Sequence, residues 1–561
     1  MRRRPALVLA CAAVLASGCT SFAGGSSSSG TADSPAPQAA VVETAAPAEG
    51  LTVVADEGAT ELSVSASRAL FETAEVAVLA RDGDDAGTLL AASAAAALGV
   101  PLLVEPGDGG AGEALTTEYD RLGTATVLAV GEAGAAADGS AAPDGGPERV
   151  GVAADPAAVA AATGLEWAET AETEADGAAA AVAELDPESP VALVLAGIGE
   201  AGGSGGGSSL PEVARAEPLD DVTVLATGES TTVAGIATAR AAGARVLLTG
   251  GDTDPRGMPD VVAAMGEQEP AAVVALGAGF AAEDGLDWKV ATAATGVELP
   301  AGGQLLFPQS FMVALYGHPG TAALGLLGEQ PLEASIERAR EQAAPYEPLV
   351  DATVVPTFEI IATIASSSAG PDGNYSAEAD LDTLRPWVEA AGEAGVYVVL
   401  DLQPGRTDFL TQAKLYRDLL VLPHVGLALD PEWRLGPNEV HLRQIGSVDV
   451  DEVNRVVTWL ADLTRQNALP QKLLVLHQFR LDMIAGRERV DLTREELAVM
   501  VHADGQGGQG DKQATWRALR QNAPEGLLWG WKNFIDEDLP MLTPAQTVEQ
   551  VDPLPGLISY Q

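Results

Sequence analysis

Cysteine is almost absent: the 561 residues contain two, Cys11 and Cys19, both within the first twenty positions. The rest of the chain therefore forms no internal disulfide, offers no thiol nucleophile and has no Cys-ligated metal site. Positive charge is also scarce, with 31 Lys and Arg against 80 Asp and Glu and a formal net charge of −49. That balance argues against binding nucleic acid or an anionic membrane surface by bulk electrostatics, and it suits solubility in salty surroundings. Aromatics make up 4% of the chain and histidines number five. Hydrophobic material is plentiful, at 47% with a mean hydropathy of +0.13, so large cores are available and the length allows about three or four domains.

The amino end reads Met1-Arg2-Arg3-Arg4, then an apolar stretch from Pro5 to Leu15, then Ala16-Ser17-Gly18-Cys19. A basic start, a short apolar core and small residues before a cysteine predict a secretory signal over 1–19, too short to remain as a spanning helix. The Ala-Ser-Gly-Cys ending resembles a bacterial lipobox, although the usual Leu three positions before the cysteine is Ala16. The resemblance implies that Cys19 is the lipid attachment point, and hence a membrane-anchored protein on the extracytoplasmic face of the envelope. Residues 20–50 are small, polar and Pro-bearing and read as a flexible tether.

The chain changes character near residue 305. Only 12 of the 31 Lys and Arg precede it, whereas six of eight tryptophans and all five histidines follow it. Residues 51–304 are Ala-, Gly- and Val-rich. Glu75 to Val104 and Val222 to Gly251 each give an apolar strand, a turn, an Ala-rich helix and a second apolar strand, which predicts buried parallel pairing in an α/β sandwich. The Gly202–Gly207 run precedes Ser208-Ser209-Leu210-Pro211 rather than opening a helix, so it reads as a loop and not as a phosphate cradle.

The order VAVLARDGDD, AAALGVPLLV, TATVLAVG and the order VTVLATGES, ARAAGARVLLTGG, AAVVALG resemble the type 2 cell wall-binding repeat family, without the family's Phe-x-Asp-Ala after the first strand. The resemblance implies that 51–304 holds anionic wall polymers.

From Phe311 onward seven apolar runs alternate with helix-forming segments over about 250 residues, which predicts a (β/α)8 barrel over 305–561 with its eighth strand unidentified; a doubly wound open sheet is the alternative. The runs end in residues spaced i, i+2: Tyr316 and His318, Asp401 and Gln403, Asp430 and Glu432, His502 and Asp504, Trp529 and Trp531, with Glu359 and His477 singly. Side chains two apart on a strand share a face, so each pair is expected to project into a common crevice. The sharpest motif is Asp430-Pro431-Glu432-Trp433, whose two like charges on one face suit one protonated acid beside one carboxylate, as glycosidic cleavage requires.

That arrangement resembles glycoside hydrolase barrels, including cell-wall muramidases. By this resemblance Glu432 protonates the leaving oxygen, while Asp430 or Asp401 stabilises positive charge or activates water. Tyr316, His318, Glu359, Gln403, Trp433, His477, His502, Asp504 and Trp531 are the expected substrate contacts, Trp433, Trp529, Trp531 and Tyr316 as stacking faces. His424 and His441 fall outside the pattern and read as surface or capping residues. No His-x-His or His-Glu-x-x-His spacing is present, so no metal and no cofactor are assigned, although His318, Asp401, His477, His502 and Asp504 are ligand types on separate strands. Gly505 to Gly510 reads as a mobile loop over the site or a plain connector. The runs LDLQPGRTDFLTQAKLY and LALDPEWRLGPNEVHLRQIG are similar to stretches of lipoproteins and wall-associated proteins of high-GC Gram-positive bacteria, that is, actinobacterial envelope proteins. The expectation is an anchored envelope protein whose barrel hydrolyses a cell-wall glycan or other polysaccharide. A non-catalytic wall-binding protein and a metal-dependent hydrolase are the alternatives.

Overall fold

The computed structural model describes residues 39–48, 50–108, 112–135, 146–197 and 209–561. The leader with Cys19, most of the expected tether and the Gly202–Gly207 run lie outside them. Among the described residues no helix is long and apolar enough to cross a membrane. One part of the expected tether is in fact a strand: Ala40–Thr44 pairs in parallel with Val213–Ala214 and antiparallel with Phe71–Ala74, burying Ala40 and Val42. Its alternation of buried and exposed residues is a strand period that the small-residue composition around it obscured.

Among its described residues the first half contains two four-stranded parallel sheets that share the order second, first, third in three strands and differ in the fourth, an edge strand that comes last in the chain in one sheet and first in the other. One runs Leu102–Glu105, Val76–Arg81, Thr126–Val130, Glu148–Val152; the other runs Arg245–Leu248, Val222–Ala226, Ala272–Leu276, Leu51–Val54. Both expected strand–helix–strand units are present. A third, not read from the sequence, pairs Glu169–Thr173 with Val191–Leu195 around a short helix at Ala178–Ala183. The Ala-rich helix Asp85–Leu98 explains how the sheets share a core. Asp84 caps its start by accepting from the Gly87 amide, Gly99 ends it at φ 73°, and ten of its residues are buried. Alanine is small enough for this helix to pack against its own sheet, the helix Val233–Ala241 and the strand Val191–Leu195 at once.

The second half is a closed barrel of eight parallel strands: β1 (Ser310–Gly317), β2 (Thr353–Ala365), β3 (Tyr397–Leu402), β4 (Val425–Leu429), β5 (Lys472–Gln478), β6 (Leu497–Ala503), β7 (Leu528–Asn533) and β8 (Leu557–Tyr560). Pairing of β1 with β2 and with β8 closes it, so the open-sheet alternative is set aside. The previously unidentified eighth strand is Leu-Ile-Ser-Tyr, too short to show a period of its own. Helices cross most of the connections, among them Leu332–Ala343, Leu381–Glu393, Val450–Gln466, Gln509–Arg520 and Pro544–Gln550, whereas 3-10 turns and a two-residue strand fill the link from β5 to β6.

Inside the barrel the strands divide into two levels. Met312, Ala314, Val355, Tyr397, Val399, Ala428, Leu473, Val475, Ala498, Met500 and Leu557 form an apolar plug toward the strand starts. Two residues further along the same inward faces, or four on β2, the side chains become Tyr316, Glu359, Asp401, Asp430, His477, His502 and Ser559, with Lys532 at the same level on β7. Packed hydrocarbon below and charge above is the layering that places chemistry at the carboxyl ends of barrel strands.

The first half docks at the other end. Leu299 and Leu306 complete the apolar plug, Gln471 donates its amide to the Gln304 carbonyl at 2.8 Å, and Trp288 lies under both Arg256 and Arg465, at 4.2 and 4.7 Å. Lys289, buried, bridges Glu283 to Glu495, the latter just before β6. Attachment at the strand starts leaves the rim of strand ends uncovered by the first half.

Candidate active site

Four carboxylates, two imidazoles and a lysine meet at the strand ends. His477 is the hub: Nε2 lies 2.7 Å from Glu359 Oε1, Nδ1 lies 3.0 Å from Asp504 Oδ2, and Nε2 is 3.9 Å from Asp401 Oδ1. Asp504 in turn has Lys532 Nζ 3.2 Å from its other oxygen, and that ammonium sits 3.8 Å from the centre of the Tyr316 ring. Tyr316 donates its hydroxyl proton to Asp401 Oδ2 at 2.9 Å and accepts from Gln403 Nε2 at 3.3 Å. His502 rests on Ser559 through Nε2 at 3.2 Å, and its ring fills the space a side chain at Gly530 would need, since a Cβ there would lie 2.6 Å from His502 Cδ2.

Burial and charge spread the proton affinities apart. Burial by itself would raise the Glu359 carboxyl, but the charge and hydrogen bond of His477, with His502 and Lys532, outweigh it and hold it below the usual range. Burial opposes charge on His477 too, yet Glu359, Asp504 and Asp401 together hold its proton well above the usual imidazole range. At His502 burial outweighs the charges of Glu359 and Asp504 and pushes it down to about 4. Asp504 is held below the ordinary carboxylate range against burial by Lys532 and His477. Asp401 and Asp430 move the other way. Burial and the neighbouring carboxylates take Asp401 up to about 6 and Asp430 well above its usual value.

Above this network opens a cavity of about 540 Å³. Asp430, Glu432 and Asp504 are its acids, Lys532 its cation, and Tyr316, Trp433, Phe479 and Phe534 its aromatic walls. Glu432 stands on a one-turn 3-10 helix, Pro431–Trp433, started by Asp430, whose Oδ1 accepts the Glu432 amide at 3.2 Å. Burial and the charge of Asp504 push the Glu432 carboxyl up to about 7.

The expected residues divide three ways. Tyr316, Gln403, Asp430, Glu432, Trp433 and Asp504 reach the cavity wall. Glu359, Asp401, His477 and His502 lie fully buried in the network beneath. His318 and Trp531 do neither: His318 Nδ1 lies 2.9 Å from the Ile361 carbonyl oxygen, and Trp531 faces outward. The Trp531 ring packs 5.7 Å from Trp516 of the overlying helix, with Trp529 5.9 Å from the same ring. The expected Trp529 and Trp531 pair thus belongs to the layer between barrel and helices, because Gly530 and Lys532 take the inward face of β7. Trp531→Phe is accordingly expected to cost about 1 kcal/mol of stability in urea unfolding and to leave ligand affinity unchanged.

Lys532, Ser559, Phe479 and Phe534 were not read from the sequence. A lysine in the otherwise apolar run Leu-Trp-Gly-Trp-Lys-Asn is a signal that could have found the first, since a charge at a strand end inside a core must meet partners. The glycine-rich segment after Asp504 is tied down rather than free: Gly505 and Gln506 line the cavity, and the Gly507 amide donates to Asp538 Oδ1 at 2.9 Å. His424 Nε2 and His441 Nε2 meet the Val388 and Tyr375 carbonyl oxygens, at 2.9 and 2.8 Å.

Among the described residues two trios carry ligand atoms close enough together for a metal, Glu359 with His477 and His502, and Asp254 with Glu283 and Glu495. In each the negative charge meets a protein cation. Both nitrogens of His477 face carboxylates and Lys532 stands beside Asp504, while Lys289 bonds Glu283 and Glu495.

Fold and site define a (β/α)8 barrel with an acid–base cluster under a rim cavity, joined to an α/β region. Among solved structures the chain is similar to Cwp8 from Clostridium difficile, with 14% identity and a TM-score of 0.30 over 44% of this chain and 52% of that one. It is also similar to Cwp6 from Clostridium difficile, with 13% identity and a TM-score of 0.29 over 69% and 63%. The match thus spans between half and two thirds of those chains, and at these values it assigns neither activity nor ligand. No family model matches the chain, and no curated protein matches it.

Proposed function

We propose that the barrel is a glycan hydrolase of the cell envelope, with Glu432 as the acid that protonates the leaving oxygen. The observation that carries this is a carboxyl pushed up to about 7, on the wall of an aromatic-lined cavity that also holds an ionised carboxylate. Two acids whose environments separate their proton affinities are what glycosidic cleavage uses. Asp401 and Asp430 add buried carboxyls beneath. The leader and the wall-binding-like repeats support an envelope location, with Cys19 as the anchor and residues 51–304 as the part that holds the wall.

Reducing-end release from purified Gram-positive peptidoglycan tests the reading. An acid must be protonated to act, so the rate is expected to hold up to about pH 7 and then to fall about tenfold per unit above it. Sugar affinity without product at any pH would replace this reading with that of a binding protein.

A further inference from the structure

Resting on the glycan-hydrolase reading, we infer that Asp504, rather than Asp430 or Asp401, is the carboxylate that works opposite Glu432, and that it does so as the nucleophile. Asp430 and Asp401 are the acids that the Asp-x-Glu motif suggests, yet the structure gives each another task. Asp430 Oδ1 receives the Glu432 amide and starts the turn on which Glu432 stands, which makes Asp430 a positioning residue. Asp401 is fully buried and does not line the cavity; its Oδ2 accepts from the Tyr316 hydroxyl and its Oδ1, like that of Asp504, accepts no hydrogen bond, so its depth below the cavity is what sets it apart.

Asp504 differs in its place, not in its pairing. It lines the same cavity as Glu432, two strands further round the barrel. Its Oδ2 is fixed by His477, which is itself fixed by Glu359, so the carboxylate is held by a chain of buried groups from two other strands. Its Oδ1 accepts no hydrogen bond although it is buried, and Lys532 stands 3.2 Å away without hydrogen-bond geometry. A buried oxygen with an unused lone pair is costly unless something arrives to use it. Lys532 and His477 also make this group a weak proton acceptor, which suits attack on carbon or support of an oxocarbenium ion better than activation of water.

The step balances with the groups present. An Asp504 oxygen bonds to the anomeric carbon as the bond from that carbon to the glycosidic oxygen breaks, and the Glu432 proton passes to the departing oxygen. The Glu432 carboxylate then takes a proton from water, whose oxygen attacks the anomeric carbon and displaces Asp504. Both groups return to their starting states, and the anomeric configuration is retained.

The test uses the full chain on solubilised Gram-positive peptidoglycan, with and without sodium azide. Asp504→Gly is expected to lose roughly 10⁴-fold in rate, and azide, small enough for the vacated space, is expected to restore turnover with a glycosyl azide of inverted configuration as product. Asp504→Asn, which keeps the shape, separates chemistry from folding: it is expected to be as inactive while its circular dichroism matches the wild type. Rescue by azide in Asp401→Gly or Asp430→Gly instead, or an active Asp504→Asn, would overturn the assignment while leaving the hydrolase reading intact. No release by the wild-type protein would overturn the hydrolase reading itself, and this assignment with it.

Discussion

Glu432→Gln is expected to lower glycan hydrolysis by roughly 10²- to 10⁴-fold without unfolding the barrel. The substitution keeps the size and shape of the side chain and removes only its exchangeable acid proton. The turn beneath it survives, because Asp430 holds the backbone amide of residue 432 and not its side chain. Half-buried at the cavity wall, the new amide still finds water, so the loss falls on kcat rather than on stability. Two signatures separate loss of an acid from general damage. The decline in rate above about pH 7 should vanish, since the group responsible no longer titrates. Aryl glycosides with good leaving groups, which need little protonation, should lose far less activity than natural glycosidic bonds. A variant that releases reducing ends at the wild-type rate would remove Glu432 from the mechanism.

Much of the barrel is legible in the chain because parallel strands covered on both faces are continuous apolar runs, and helix-forming segments separate them. The same property hides which side of each strand points inward. Where a run ends in a charged pair, as at Asp430 and Glu432 or His502 and Asp504, both side chains lie at the cavity or in the network beneath it, since charge at that depth must face other charge. At β7 the pair is aromatic, and aromatics fit the interior or the helix layer equally well. Trp531 therefore gave no warning that Lys532, one residue on, faced the site. In the first half the third strand–helix–strand unit escaped because Glu169–Thr173 is exposed along most of its length and carries no apolar run.

Lys532→Met is expected to destabilise the protein by about 3–5 kcal/mol at neutral pH, the cost of removing one partner from a buried ion pair. The methionine fills nearly the same volume, so the loss is electrostatic: Asp504, Glu359, Asp401 and Asp430 all act on this ammonium, and without it His477 is the cation left in direct contact with them. The pH dependence has a definite sign. Asp504 has a folded-state pKa below its unfolded value, so its stabilising contribution is present above the unfolded value of about 3.9 and is lost as pH falls through the folded one. Lys532 has a raised pKa, so its contribution is present below about 10.4 and is lost only as pH rises through its folded value. The deficit of the variant in urea unfolding should therefore be widest between about pH 5 and 10 and narrow below about pH 4. Because the penalty comes from uncompensated charge rather than from the lost contact, adding Asp504→Asn to Lys532→Met should recover part of the stability. A double variant less stable than Lys532→Met alone would show that the lysine stabilises the barrel by packing against Tyr316 and Phe534 and not by balancing the acids around it.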